Sequence, residues 1–260
     1  MAANGQGTVN RNRLDHVLPQ GYLEGFTSPS QEGQVWVFDR QEQLWFDTGT
    51  RGIGAIRGFY DYPLGSQPDQ TADQAFAELE ARFPHVRRKL VANNFSNWRE
   101  HLDSLLHFAQ MLRARSKLFR DEHLAYTRGV TMLDATLLRN KAITDMRTEI
   151  GRGPGWLSEF YWCLRLTASP TDPVITADNP VVVDGIAPTF QQALQDAHTR
   201  VSFPICWQAC LVGRKAKFDK QSDAFLPGEL DRLRSIYLQE ASRFVFSPSR
   251  IASLSADQRD

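Results

Sequence analysis

Apolar positions change their period twice along the chain. Near the start Leu18, Tyr22 and Phe26 recur every fourth residue, which predicts a short helix after His16. The β-rich runs Gln34–Asp39 and Gln43–Asp47, joined by a short polar link, predict a hairpin. Glycines 49, 52, 54 and 58 follow in a spacing that cradles no phosphate and reads as loop. Between Thr71 and Ile150 the period is helical. Phe76, Leu79, Glu80 and Phe83 mark a first helix, with Thr71 and Gln74 as its capping box. Leu102, Leu105, Leu106, Ala109 and Leu112 mark a second, capped by Ser96 or Asn97. A third is expected over most of Leu124–Met146, and the glycines and proline of 151–155 end the block.

Strand signals then return at Phe160–Leu166, Val201–Cys206 and Ala209–Val212, and in Val174–Val183, where Asp178-Asn179-Pro180 breaks the run. Pro227–Ser242 reads as a helix and Phe244–Ser247 as a closing strand. Strands, helices, then strands predict an α+β fold: an N-terminal β-hairpin layer and C-terminal strands packed on a central helical block. The expected unit is one domain over residues 14–248, with 1–13 and 249–260 as flexible ends.

Composition narrows the setting. Of 260 residues 42% are hydrophobic, enough for a sizeable core. No apolar run approaches the roughly 20 residues that span a bilayer, and the polar start has no signal-peptide core, so no membrane partner is expected. Three cysteines do not suggest a disulfide framework. Cys206 and Cys210 lie in an apolar strand-like segment and read as buried thiols, so the expected location is the cytoplasm.

Net charge is zero, but it is unevenly spread. Residues 82–147 hold 13 Lys+Arg against 6 Asp+Glu, whereas residues 1–81 hold 5 against 11. Arg82, Arg87, Arg88, Lys89, Arg113, Arg115, Lys117 and Arg120 are the densest part of the basic block. These charges either pack on the acidic N-terminal layer and keep helix faces solvated, or form a patch for a nucleotide or nucleic acid.

Several polar residues stand in unusual places. His16 precedes a helix start and could serve as base, metal ligand or cap. Gln110 and Arg113 share a helical face beside the apolar stripe. An Arg there needs a partner, and Glu80 in the preceding helix is the natural candidate. The alternative is an Arg fork presented to a carboxylate or phosphate. Asp178 and Asn179 form either a tight turn or the strand-end carboxylate of a site. No nucleophile elbow, phosphate-binding loop or zinc-binding helix is present.

These residues fall into an order. His16-Val17-Leu18-Pro19-Gln20-Gly21-Tyr22-Leu23, the strand Val35–Asp39, Phe59-Tyr60, Glu80, Gln110-x-x-Arg113, Thr176–Val181, Phe203-Pro204 and Arg243–Phe246 together resemble domain-of-unknown-function family 4238, which is mostly bacterial. Val17 and Gly21 stand where that family has aromatics. The resemblance brings no established activity. It implies that His16, Gln20, Glu80, Gln110, Arg113, Asp178 and Asn179 belong to one pattern.

The expected function is an enzyme on a phosphate-containing substrate, a nuclease-like, metal-assisted hydrolase. Its catalytic candidates are His16, Glu80, Arg113 and Asp178, with Asp178 and His16 as ligands of a divalent ion. Gln20, Tyr60, Gln110, Asn179, Arg87 and Arg88 are the substrate-binding candidates. The alternative is a non-catalytic module for a nucleotide, nucleic acid or protein, with a buried structural polar network.

Overall fold

The computed structural model describes residues 14–30, 33–57, 70–130, 135–167, 169, 171–185, 190–218 and 224–251. Strand β1 (Leu14–His16) leads into helix α1 (Gln20–Leu23), which a 3-10 turn extends through Phe26. The four-residue spacing has the predicted effect: Leu18, Tyr22 and Phe26 are all buried. The expected hairpin is β2 (Gln34–Asp39) with β3 (Leu44–Gly49), paired from Gln34↔Gly49 to Asp39↔Leu44. The glycine-rich segment holds more than loop, because β4 (Ala55–Arg57) pairs antiparallel with β1.

The helical block comprises α2 (Gln70–Ala92), α3 (Leu102–Arg115), α4 (Lys117–Val130) and α5 (Ala135–Gly151). The single third helix expected over Leu124–Met146 is therefore two, α4 and α5. The side chains of Thr71 and Gln74, the expected capping box, lie outside the described residues. Neither Ser96 nor Asn97 caps α3 directly; a 3-10 turn, Trp98–His101, precedes it. What separates α3 from α4 is Ser116, whose extended backbone stops one helix while its hydroxyl starts the next. Ser116 Oγ donates to the Arg113 carbonyl at 2.8 Å and accepts from the Phe119 N–H at 3.1 Å. Surrounded by its neighbours, α3 is buried from Leu105 to Arg115 except at His107, so its polar residues enter the core.

The remaining strands are β5 (Tyr161–Leu166), β6 (Thr176–Ala177), β7 (Val182–Asp184), β8 (Arg200–Cys206), β9 (Ala209–Arg214) and β10 (Phe244–Ser247). Helix α6 (Phe190–Gln195) precedes β8, and α7 (Glu229–Glu240) precedes β10. Two four-stranded antiparallel sheets result, ordered β3-β2-β10-β6 and β5-β9-β8-β7. The fold is α+β, but the hairpin does not stand as a layer by itself. It takes in β10, the last strand, with Phe244 opposite Asp39 and Ser247 opposite Trp36. The Asp178-Asn179-Pro180 break hands the chain from the edge of one sheet to the edge of the other.

Tyr22 sits where these layers meet. Its ring lies 5.3–6.0 Å from those of Phe26, Phe83, Phe108 and Phe203. Its hydroxyl donates to the Pro204 carbonyl at 3.0 Å and shares a 2.8 Å hydrogen bond with Thr176 Oγ1, so one side chain from α1 is fastened to a strand of each sheet. Gly21 explains a departure noted in the sequence: a β-carbon there would lie 2.7 Å from Pro84 Cγ, so α1 sits against α2 too closely for a side chain. The three cysteines are buried thiols, and burial pushes the Cys206 thiol up to about 11. No helix among the described residues is long and apolar enough to cross a membrane.

Candidate functional site

Helix α3 supplies the polar centre. Gln110 and Arg113, one turn apart, are 2% and 4% exposed. Gln110 Nε2 donates to Glu149 Oε2 of α5 at 3.1 Å. Arg113 Nη2 reaches Glu122 Oε2 of α4 at 2.5 Å, and its guanidinium lies 4.7 Å from the centre of the Phe190 ring. Burial lowers the Arg113 pKa below its ordinary value, opposed by the charges of Glu122 and Glu240. Two atoms are left over. Gln110 Oε1 and Arg113 Nε are buried with no hydrogen-bond partner among the described residues. A buried donor and acceptor left unmade each cost about 1–3 kcal/mol, so an orphan of each kind on one helical face is an unmet demand.

The expected pairing of Arg113 with Glu80 is corrected here. Glu80 pairs with Arg115, two residues along, whose guanidinium also lies 4.5 Å from the Phe76 ring centre. A shift of two residues turns a helical side chain by about 200°, so Arg115 faces α2 while Arg113 faces α4 and α6. Glu80 is thus engaged away from the Gln110–Arg113 face.

Asp178 and Asn179 form a separate arrangement. Asp178 Oδ1 accepts the Ser242 N–H at 2.7 Å, and Oδ2 accepts those of Arg243 and Phe244 at 2.7 and 3.1 Å. Burial raises the Asp178 pKa, against the pull of these three donors. Asn179 Nδ2 donates to the Glu240 carbonyl at 2.6 Å and to Ser242 Oγ at 3.2 Å, while its Oδ1 finds no partner among the described residues. The turn therefore fixes the junction between α7 and β10. From the other side Asp39 Oδ2 accepts Arg243 Nε and Nη2 at 2.9 and 2.7 Å, and Arg40 donates to the Ala241 carbonyl.

The basic block is partly internal. Arg87 Nη1 donates to the Gly21 carbonyl at 2.7 Å, and its side chain is 11% exposed. Arg113 and Arg115 also point inward, with carboxylate partners. Arg88 is exposed and shares a 2.8 Å hydrogen bond with His85 Nδ1. Gln20 is exposed, 3.5 Å from Glu24 Oε1. Tyr60 lies outside the described residues, as does the side chain of His16. Val17, the next residue, packs with Phe119 and Met146, which brings the start of the motif to α4 and α5. Among the described residues no three His, Cys, Asp or Glu side chains are gathered as a metal site would need.

Glu122, Glu149, Trp156 and Phe190 were missed in the sequence. The two carboxylates carry no mark of their own in the sequence, and only the fold carries them to α3.

The family described as a protein of unknown function (DUF4238) matches residues 15–250. The chain belongs to that family. No curated protein and no solved structure matches the chain. The family supplies no chemistry of its own, so the reading of the site rests on the geometry above.

Proposed function

We propose that this DUF4238 protein is a small-molecule binding module, and that its site is the Gln110–Arg113 face of α3. The observation behind this reading is the pair of unpartnered buried atoms, one acceptor and one donor, on residues one helical turn apart. A ligand with an N–H or O–H donor and an adjacent acceptor would satisfy both. Arg113 is already matched by Glu122, and Glu149 by Arg152 at 2.7 Å, so the local charge balance favours a neutral polar group over a bare phosphate.

The metal-assisted hydrolase reading ranks below this one. It asks Asp178 to hold a divalent ion, and both Asp178 oxygens already accept backbone N–H groups. The nucleic-acid reading loses Arg87, which is turned toward α1.

Differential scanning fluorimetry against nucleosides, ribose, hydroxy acids and amino acids tests the proposal. A ligand at a hundredfold excess over its Kd adds about 2.7 kcal/mol of stability, a readily seen rise in Tm. The expected result is a saturable rise for the wild type that Gln110→Met abolishes. A rise that persists unchanged in Gln110→Met, or no rise with any compound, overturns it.

A further inference from the structure

The walls of the Gln110–Arg113 face are aromatic. Gly155 stands against Gln110, where a β-carbon would lie 3.5 Å from Nε2, and Trp156 is the next residue along the chain. The Trp156 ring meets Phe190 edge-on, with centroids 5.2 Å apart and planes at 84°. Phe190 in turn lies beneath the Arg113 guanidinium. Trp156 and Phe190 are both only half-buried, unlike Gln110 and Arg113, so each aromatic residue keeps some exposed surface while the polar pair is buried. A half-exposed indole next to an unfilled donor–acceptor pair suits a flat ligand better than a branched aliphatic one.

We propose that the site takes a heteroaromatic ring of the nucleobase class. The inference rests on the binding reading above and names the ligand class of that same site. The ring stacks on Trp156, an N–H on its edge donates to Gln110 Oε1, and Arg113 Nε–H donates to a ring nitrogen or carbonyl oxygen beside it. Nucleobase edges carry such adjacent donors and acceptors, and their faces stack on aromatic side chains whatever the base. Specificity then comes from the edge, because an analogue without the N–H leaves Gln110 Oε1 unmet.

Isothermal titration of the full chain with adenosine, guanosine, cytidine and uridine tests this, with ribose and inorganic phosphate as controls. At least one nucleoside should bind saturably. Trp156→Ala should weaken it about ten- to hundredfold, the value of one base–aromatic stack, while Trp156→Phe stays within severalfold of wild type. Trp156→Phe keeps an aromatic ring at that position, so it separates loss of stacking from loss of fold. Nucleoside binding that is unchanged in Trp156→Ala overturns the stacking inference. Binding of ribose or phosphate alone, abolished in Gln110→Met, overturns the ring but leaves the binding site standing. No heat from any of these probes overturns the ring, and the binding reading falls with it only if hydroxy acids and amino acids also leave the Tm unchanged.

Discussion

The Arg113 guanidinium meets the Glu122 carboxylate at 2.5 Å, across the Ser116 turn that joins α3 to α4. The pair is lopsided, since the Arg side chain is 5% exposed and the Glu 38%. The buried cation therefore depends on a partner that is itself partly in water. Glu122→Gln should cost about 1–3 kcal/mol, less than a fully buried pair because solvent screens the carboxylate, and urea denaturation would measure it. A change under about 0.5 kcal/mol would mean that Arg113 is compensated elsewhere.

Tyr22 makes a second, independent prediction. Tyr22→Phe keeps the ring among Phe26, Phe83, Phe108 and Phe203 but deprives Thr176 Oγ1 and the Pro204 carbonyl of their partner. The expected loss is about 1–3 kcal/mol with an unchanged circular dichroism spectrum. Because the ring keeps its contacts with Phe26, Phe83, Phe108 and Phe203, unfolding should remain one cooperative transition.

The two carboxyls at the α7–β10 junction should respond to pH with opposite signs. The Arg243 side chain, with two backbone N–H groups, lowers the Asp39 pKa below the ordinary carboxylate range. Its contribution is complete above the unfolded value, about 3.9, and is lost as pH falls through the lower folded value. Burial holds Asp178 above that range, so the protonation-linked part of its contribution is present below the unfolded value and is lost as pH rises through the folded one, while its three backbone hydrogen bonds remain. The stability gap between wild type and Asp39→Asn should therefore be wide at pH ~6 and narrow near pH ~3. Urea midpoints across that range would show it, and a gap that does not vary with pH would contradict it.

Neighbouring arginines of α2 should separate cleanly. Arg87→Ala frees the Gly21 carbonyl and loosens α1 from α2, for a loss of about 1–3 kcal/mol. Arg88→Ala touches only an exposed helix surface and should stay within about 0.5 kcal/mol of wild type. Equal losses in thermal denaturation would contradict the burial difference between them.

The fold class was legible because period-2 and helical-period stretches alternate in long, clean blocks. The division of Leu124–Met146 was not, since an apolar helical stripe continues on either side of 131–134 and the lone Gly129, without a proline, is a weak stop signal. Nor was the union of the hairpin with β10, because strands some 200 residues apart leave no local mark of their pairing. At the candidate site, Gln110 and Arg113 stood out as polar residues beside a core stripe. Their partners did not, because Glu122, Glu149 and Phe190 reach them only through helix packing. Glu80 was assigned to Arg113 instead of Arg115 for a related reason: in a helix buried on all sides, a single-stripe reading does not tell which face meets which neighbour.

The central claim divides the motif's polar residues by role: Asp178 holds the α7–β10 junction, and Gln110 serves the ligand. Urea unfolding of Asp178→Ala beside Gln110→Met, without ligand, tests that division most directly. Asp178→Ala leaves three backbone N–H groups without their acceptor and should lose at least ~2 kcal/mol, whereas Gln110→Met keeps its volume, removes an unpartnered oxygen and one bond to Glu149, which keeps Arg152, and should stay within about 1 kcal/mol of wild type. The reverse order, with Gln110→Met the less stable, would make Gln110 part of the structural frame and contradict the account.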